Sequence, residues 1–234
     1  VDFLLVVQPK DLPEQTVFAI DQFILNGGRA IIAVDPHCVA DTPDMSQRMG
    51  GGHDTSSNLP TLLSHWGLSV PANTFAGDRK LVVVGAARRG QRPQRILGVM
   101  KLEAAFDCFN PDEPITARLN EMTVVFPGVL NKLDAAEGTD LTYTPLLSTS
   151  DEGNTWTVSS PFEVMNPDYA ALLRNFRDGD EPVTMAYMLN GTFTTAFPDG
   201  IEVPVEQEDA EPGEADAAAA ETETLTGLTE SAQP

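Results

Sequence analysis

Asp35, His37 and Cys38 fall within four residues, in Val34-Asp35-Pro36-His37-Cys38, and bring a carboxylate, an imidazole and a thiol together. Those groups could support acid–base or nucleophilic chemistry, so a hydrolase or amidotransferase reading would rest on them. Asp78, after Gly77, is a second strand-end carboxylate. Asp35, His37 and Asp78 are the candidate ligand-binding residues, with capping of a following turn as the competing role for the two carboxylates. Neither cysteine stands in a Gly-x-Ser-x-Gly type of elbow, since Cys108 is set in Phe106-Asp107-Cys108-Phe109. No catalytic residue is therefore assigned.

Cofactor chemistry finds no better footing. Adding His53 to Asp35, His37 and Cys38 matches no compact zinc spacing, and neighbours on a strand point to opposite faces, so no metal site is expected. The first strand is followed by Gln8-Pro9-Lys10-Asp11 and not by a dinucleotide fingerprint. Gly50-Gly51-Gly52 lacks the Lys-Ser/Thr of a phosphate loop and reads as surface loop. No cofactor is expected.

What must position these residues is the opening stretch, 1–37. Phe3-Leu4-Leu5-Val6-Val7 is an unbroken apolar run, the pattern of a strand covered on both faces. A helix fits Pro13 to Leu25: proline suits its first turn, Val17, Ile20 and Ile24 recur at helical spacing, and Gly27-Gly28 ends it. Ala30-Ile31-Ile32-Ala33-Val34 is a second strand, so the economical topology is a parallel pair with a right-handed crossover. Asp35 then lies at the carboxyl edge, where open α/β sheets bind ligands.

Further along, Leu59 to Trp66 reads as a helix capped by Asn58 or Ser57. Strands are expected at Leu81–Val84, Ile96–Leu102, Thr123–Phe126, Thr142–Leu147 and Val183–Leu189, with a helix from Pro167 to Phe176. Asn190-Gly191 is a turn signal, and Thr192–Phe197 would complete a hairpin. From about Glu206 onward large apolar residues nearly vanish, so 201–234 is expected to be an acidic disordered tail or linker behind a domain of residues 1–200.

The formal charge is −21, from 35 acidic and 14 basic residues, and ten of the acidic residues lie between Glu202 and Pro234. Phosphate binding needs a basic stripe, and only Arg88 to Arg95 clusters positive charge, so nucleic acid is excluded as a partner. No apolar run approaches the roughly 20 residues that cross a bilayer. The start at Val1, almost on a strand, suggests an excised fragment, so any membrane contact is expected through segments outside it. Cys38 and Cys108 allow one disulfide or two buried thiols.

The order of several segments carries a family resemblance. Residues 1 to 10, Glu14-Gln15-Thr16, Ala19 to Phe23, Gly27-Gly28 and Val34-Asp35-Pro36 closely resemble the soluble region of ABC-type transport auxiliary proteins of the GldG-like, gliding-motility-associated family. The likeness continues at Asn58-Leu59, Leu62-Leu63, Trp66-Gly67, Gly77-Asp78, Tyr143 to Ser150, and Met185 to Phe193, covering roughly residues 1 to 200. The resemblance implies an α/β fold, a flavodoxin-like or glutamine-amidotransferase-like parallel sheet with flanking helices and extra β-hairpins, used for binding and not for turnover. It also implies a membrane-tethered, periplasmic or extracytoplasmic accessory domain that works with ABC permease and ATPase subunits and binds a partner or an exported ligand. Beside it stand the hydrolase or amidotransferase built on Asp35, His37 and Cys38, and a carbohydrate-binding module at the sheet's carboxyl edge.

Overall fold

A computed structural model describes residues 2–42, 53–85, 92–159, 163–164, 168–204 and 222–231. The triple glycine and the first half of the basic loop, 88–91, lie outside the described residues.

Strand β1 (Phe3–Val7) leads into helix α1 (Glu14–Leu25) and back to β2 (Arg29–Ala33), which pairs with β1 in parallel, Leu5 opposite Ile31. Pro13 opens α1 at φ −56°, the value its ring imposes, and Glu14 places negative charge on the positive end of the helix dipole. Gly27, at φ +83°, reverses the chain in the left-handed region, where a side chain would be strained. Phe18, Ile20 and Leu25 are buried.

Helix α2 (Pro60–His65) follows, with Leu59 at its cap position and Pro60 in its first turn. Asn58 does not cap the helix; its Oδ1 accepts from Leu59 N at 2.8 Å. Short β3 (Leu68–Ser69), β4 (Thr74–Gly77) and β5 (Val82–Gly85) precede the ten-residue β6 (Gln94–Glu103), which pairs antiparallel with β5 and with β7 (Glu121–Val125). Then come β8 (Asn131–Lys132) against β3, β9 (Asp140–Ser148), β10 (Asn154–Thr157) against β4, α3 (Tyr169–Asn175), and β11 (Thr184–Thr192) antiparallel to β9. Asp168 caps α3 by accepting from Ala171 N at 2.9 Å. Among the described residues β1–β2 is the parallel pair, and the other pairings are antiparallel.

Three apolar clusters hold these elements. Ile20, Leu59, Leu62, Leu63, Trp66 and Leu68 receive the inner face of the parallel pair, Leu4, Val6 and Ile32. Phe75, Leu97, Phe126, Trp156 and Phe176 form a second cluster. Ala76, Leu81, Met100, Leu102, Cys108 and Phe109 form a third. The β9–β11 pair links the first and third, presenting Tyr143 and Tyr187 to one and Leu147 and Met185 to the other.

Three expectations give way. Asn190-Gly191 makes no turn, because β11 runs through it, Asn190 opposite Thr142 and Gly191 opposite Leu141. Glycine is needed there for another reason: at φ +132° any Cβ would collide with the carbonyl of Asp140. Two parts of the expected tail also join the fold, as β12 (Ile201–Pro204) pairs antiparallel with β13 (Thr222–Leu225), while 205–221 lie outside the described residues. Gln22 Oε1 accepts from Leu228 N at 2.6 Å, and Ser231 N donates to Phe193 O at 2.8 Å, fixing that return on α1 and the segment after β11. Finally, among the described residues β1 and β2 are covered on one face only: Phe3, Leu5, Val7 and Ile31 stand 50%, 60%, 63% and 52% exposed.

Candidate functional site

The carboxyl ends of β1 and β2 are tied together by one polar residue, Gln8. Its backbone N–H extends the parallel ladder by donating to Ala33 O at 3.0 Å, and its φ of +53° then turns the chain out of the sheet. The side chain reaches the facing segment, where Nε2 donates to Thr55 O at 2.9 Å and Oε1 accepts from Ser57 Oγ at 2.9 Å. Ser57 also grips the end of β2 twice: its hydroxyl accepts from Asp35 N at 3.0 Å and its N–H donates to Asp35 O at 2.7 Å. The buried Ser57 hydroxyl is thus satisfied on both sides, which a buried polar group requires.

Asp35 and His37 belong to this knot. Asp35 Oδ1 accepts from His37 N at 2.8 Å, closing the turn that follows β2. His37, buried at 7% exposure, shares a 2.8 Å hydrogen bond between its Nδ1 and Thr55 Oγ1 and sets its ring edge-on to Phe126, centroids 5.9 Å apart. Burial pushes the Asp35 carboxyl above its usual range, against the opposing pull of His37. Burial holds the His37 imidazole below its ordinary value, against the attraction of Asp35. Cys38 meets the same segment through its backbone, N to Thr55 O at 3.0 Å. Among the described residues no hydrogen bond joins the His37 ring to the Asp35 carboxylate or to the Cys38 thiol; the carboxylate accepts from the His37 backbone and the ring nitrogen Nδ1 faces Thr55.

Asp78 lies elsewhere. Fully buried, its Oδ2 accepts from Ser150 Oγ at 2.6 Å and Ser150 N at 2.9 Å, and its Oδ1 accepts from Lys80 N at 2.7 Å. The structure brings Asp35 and His37 together and leaves Asp78 pinning β4 to the end of β9.

Beside the Gln8 knot, a second polar cluster holds the exit from β1. Lys10 Nζ and His53 Nε2 each approach Asp41 at 2.7 Å, on different carboxylate oxygens, and Lys10 also donates to Asp54 O. Hydrogen bonding to Lys10, then to His53, holds the Asp41 carboxyl below its ordinary range. Between these residues and the start of α2 opens a cavity of about 370 Å³, lined among others by Lys10, Leu12, Val17, Asp54, Ser56 and Leu59. Asp35 stands behind its wall, bonded to the lining residue Ser57, while His37 is held by Thr55, which is not among the lining residues. No motif marks Gln8, Thr55 and Asp41, and Ser57, expected as a candidate helix cap, instead bonds Gln8 and Asp35. The one available signal was a polar residue directly after the first parallel strand, where ligand sites of α/β sheets begin.

Among the described residues no group of three or more His, Cys, Asp or Glu is placed to hold a metal ion. Both thiols are free, Cys38 half-buried and Cys108 in the third cluster, so the disulfide alternative is not realised.

Comparison with known proteins gives one family. The model described as an ABC-type uncharacterized transport system matches residues 1–225. The match continues through β12 and β13, past the limit near residue 200 drawn from the quoted segments. No curated protein and no solved structure matches the chain.

Proposed function

The chain belongs to the ABC-type uncharacterized transport system family, and from that premise we propose that it is a GldG-like, non-catalytic accessory domain that docks a membrane subunit of its transporter. The family makes it an auxiliary component of an ABC-type transport system. The finer reading is a domain held on the periplasmic or extracytoplasmic face, working with permease and ATPase subunits, its β1–α1–β2 unit being the core of a flavodoxin-like or amidotransferase-like ancestor. No helix of the described residues is long and apolar enough to cross a membrane, so the membrane contact in this reading is made through the partner or through polypeptide outside these residues.

One observation carries the docking: the uncovered face of the parallel pair. Phe3, Leu5 and Val7 line up beside Ile31, and parallel strands are ordinarily covered on both faces. Half-exposed side chains of this size present on the order of 100 Å² each, so the patch is on the order of 400 Å², the size at which exposed apolar surface marks an interaction site. A second copy is a poor occupant. Two such patches fall short of the ~800 Å² per partner of a stable interface, and each copy carries −21. An apolar segment of a less acidic subunit fits.

Co-purification of the polypeptide containing this domain with its permease tests the reading. Leu5→Glu should abolish recovery of the permease while leaving the domain folded. Undiminished recovery would remove the β1–β2 face as the docking surface.

A further inference from the structure

Given docking at the β1–β2 face, on which this rests, we propose that the partner is held by strand addition: an extended segment of the transporter's membrane subunit pairs as a third strand along the outer edge of β1.

Val7 stands opposite Ala33, yet it is the N–H of Gln8 that donates to Ala33 O. Alternate residues of a strand turn their backbone groups to the same side, so Leu4, Val6 and Gln8 face β2 while Phe3, Leu5 and Val7 face away from it. Among the described residues β1 pairs with β2 alone, and no hydrogen bond reaches the outward N–H and C=O groups of Phe3, Leu5 and Val7. These are also the residues whose side chains stand on the uncovered face. One edge therefore offers unpaired ladder groups and apolar side chains together. On β2 the two are separated: Ile32 turns its backbone outward, but its side chain packs against the first cluster.

An open edge is a template for pairing, and proteins blunt such edges with charge, proline or a bulge. β1 has none of these: it is five apolar residues in unbroken register with β2. A helix laid on the face would seal the outward groups from water without pairing them, because its own backbone is bonded internally. An acyl chain has no donor or acceptor to offer. An extended segment supplies a ladder bond to each outward group, and its alternate side chains prolong the apolar face. The surroundings set its charge. Exposed Asp2 and Asp11 bracket β1 on a chain that carries −21, so an apolar run with neutral or basic flanks fits, and a second copy is repelled.

The complete polypeptide, co-expressed with the membrane subunits of its transporter, tests this in two ways. Leu5→Pro removes the outward N–H, keeps an apolar side chain and leaves the bonds to β2 intact, the orientation in which an edge strand tolerates proline. Recovery of the membrane subunit should fall by about tenfold, the size expected when the facing carbonyl is left unpaired. Leu5→Glu in the same assay reports on the face itself. Loss with Leu5→Glu but full recovery with Leu5→Pro would leave face docking standing and overturn strand addition, whereas full recovery with both removes the docking as well. The second measurement needs no variant. Amide hydrogen exchange at Leu5 and Val7 should be slower by about tenfold or more in the wild-type complex than in the polypeptide alone. Unchanged exchange in the complex would overturn the proposal. So would protection of both amides before the membrane subunit is added, the result expected if the edge is already held by the polypeptide's own chain or by a second copy.

Discussion

Asp78 and Ser150, 72 residues apart in sequence, are joined twice: the buried carboxylate accepts from both the hydroxyl and the backbone N–H of the serine, at 2.6 and 2.9 Å. With Lys80 N as a third donor the charge is held by hydrogen bonds alone, as Lys80 Nζ turns outward to Asp151 and Glu152. Asp78→Asn replaces an acceptor with a donor against Ser150 and should destabilise the domain by about 3 kcal/mol. Ser150→Ala keeps the backbone contact and should cost less, about 2 kcal/mol. Urea unfolding of both variants measures the difference, and equal small losses would count against a structural role for Asp78.

Asp21 makes the corresponding tie for the first helix. It is buried on α1, accepting from Thr195 Oγ1 at 2.6 Å and Ala196 N at 3.2 Å. Thr195→Val preserves shape and removes the hydroxyl, leaving the carboxylate short of a donor. A loss of about 2 kcal/mol is expected, with faster amide exchange at Ala196 and Phe197.

His37 makes stability depend on pH in a predictable direction. Its folded pKa is depressed by burial, so the unfolded chain takes up the proton first as pH falls. Stability should therefore decline as pH drops below the ordinary histidine value of about 6.5. Asp35 acts with the opposite sign in a lower window, because its raised pKa favours the folded state as the carboxyl is protonated. Comparing unfolding free energies at pH 7.5 and about 5.5, in the wild type and in His37→Gln, isolates the first effect. An identical decline in both would exclude His37 as its source.

The two thiols should behave differently. Burial raises the Cys108 pKa and its S–H is directed to the Phe106 carbonyl at 3.7 Å, so it should resist iodoacetamide in the native state. Half-buried Cys38 should label first. Unreduced, denatured protein should take two labels, and none would mean a disulfide.

How much of this was legible follows from particular residues. β1, α1 and β2 could be read directly, because two apolar runs, Pro13 and Gly27 each have a local physical cause. Asn190-Gly191 misled because eight pairs with β9 outweigh a two-residue turn preference. The return of 222–231 was hidden by its composition: β13 is exposed along its whole length and is held by backbone pairing, and Leu228 after it by Gln22, neither of which leaves an apolar pattern. Among 35 acidic residues, buried Asp21 and Asp78 look like any others. Asp21 alone left a trace, standing between Val17 and Ile24 on the apolar stripe of α1. The Gln8 knot and its cavity depend on contacts some 47 residues apart that no motif records.

Photo-crosslinking from the uncovered face tests the central claim most directly. A photoreactive amino acid placed at Leu5, in cells that express the complete transport system, should yield an adduct with one of its membrane subunits. The same group at Thr16, on the exposed side of α1, should not. No adduct with a transporter subunit from Leu5, or equal adducts from both positions, would contradict docking through the β1–β2 face.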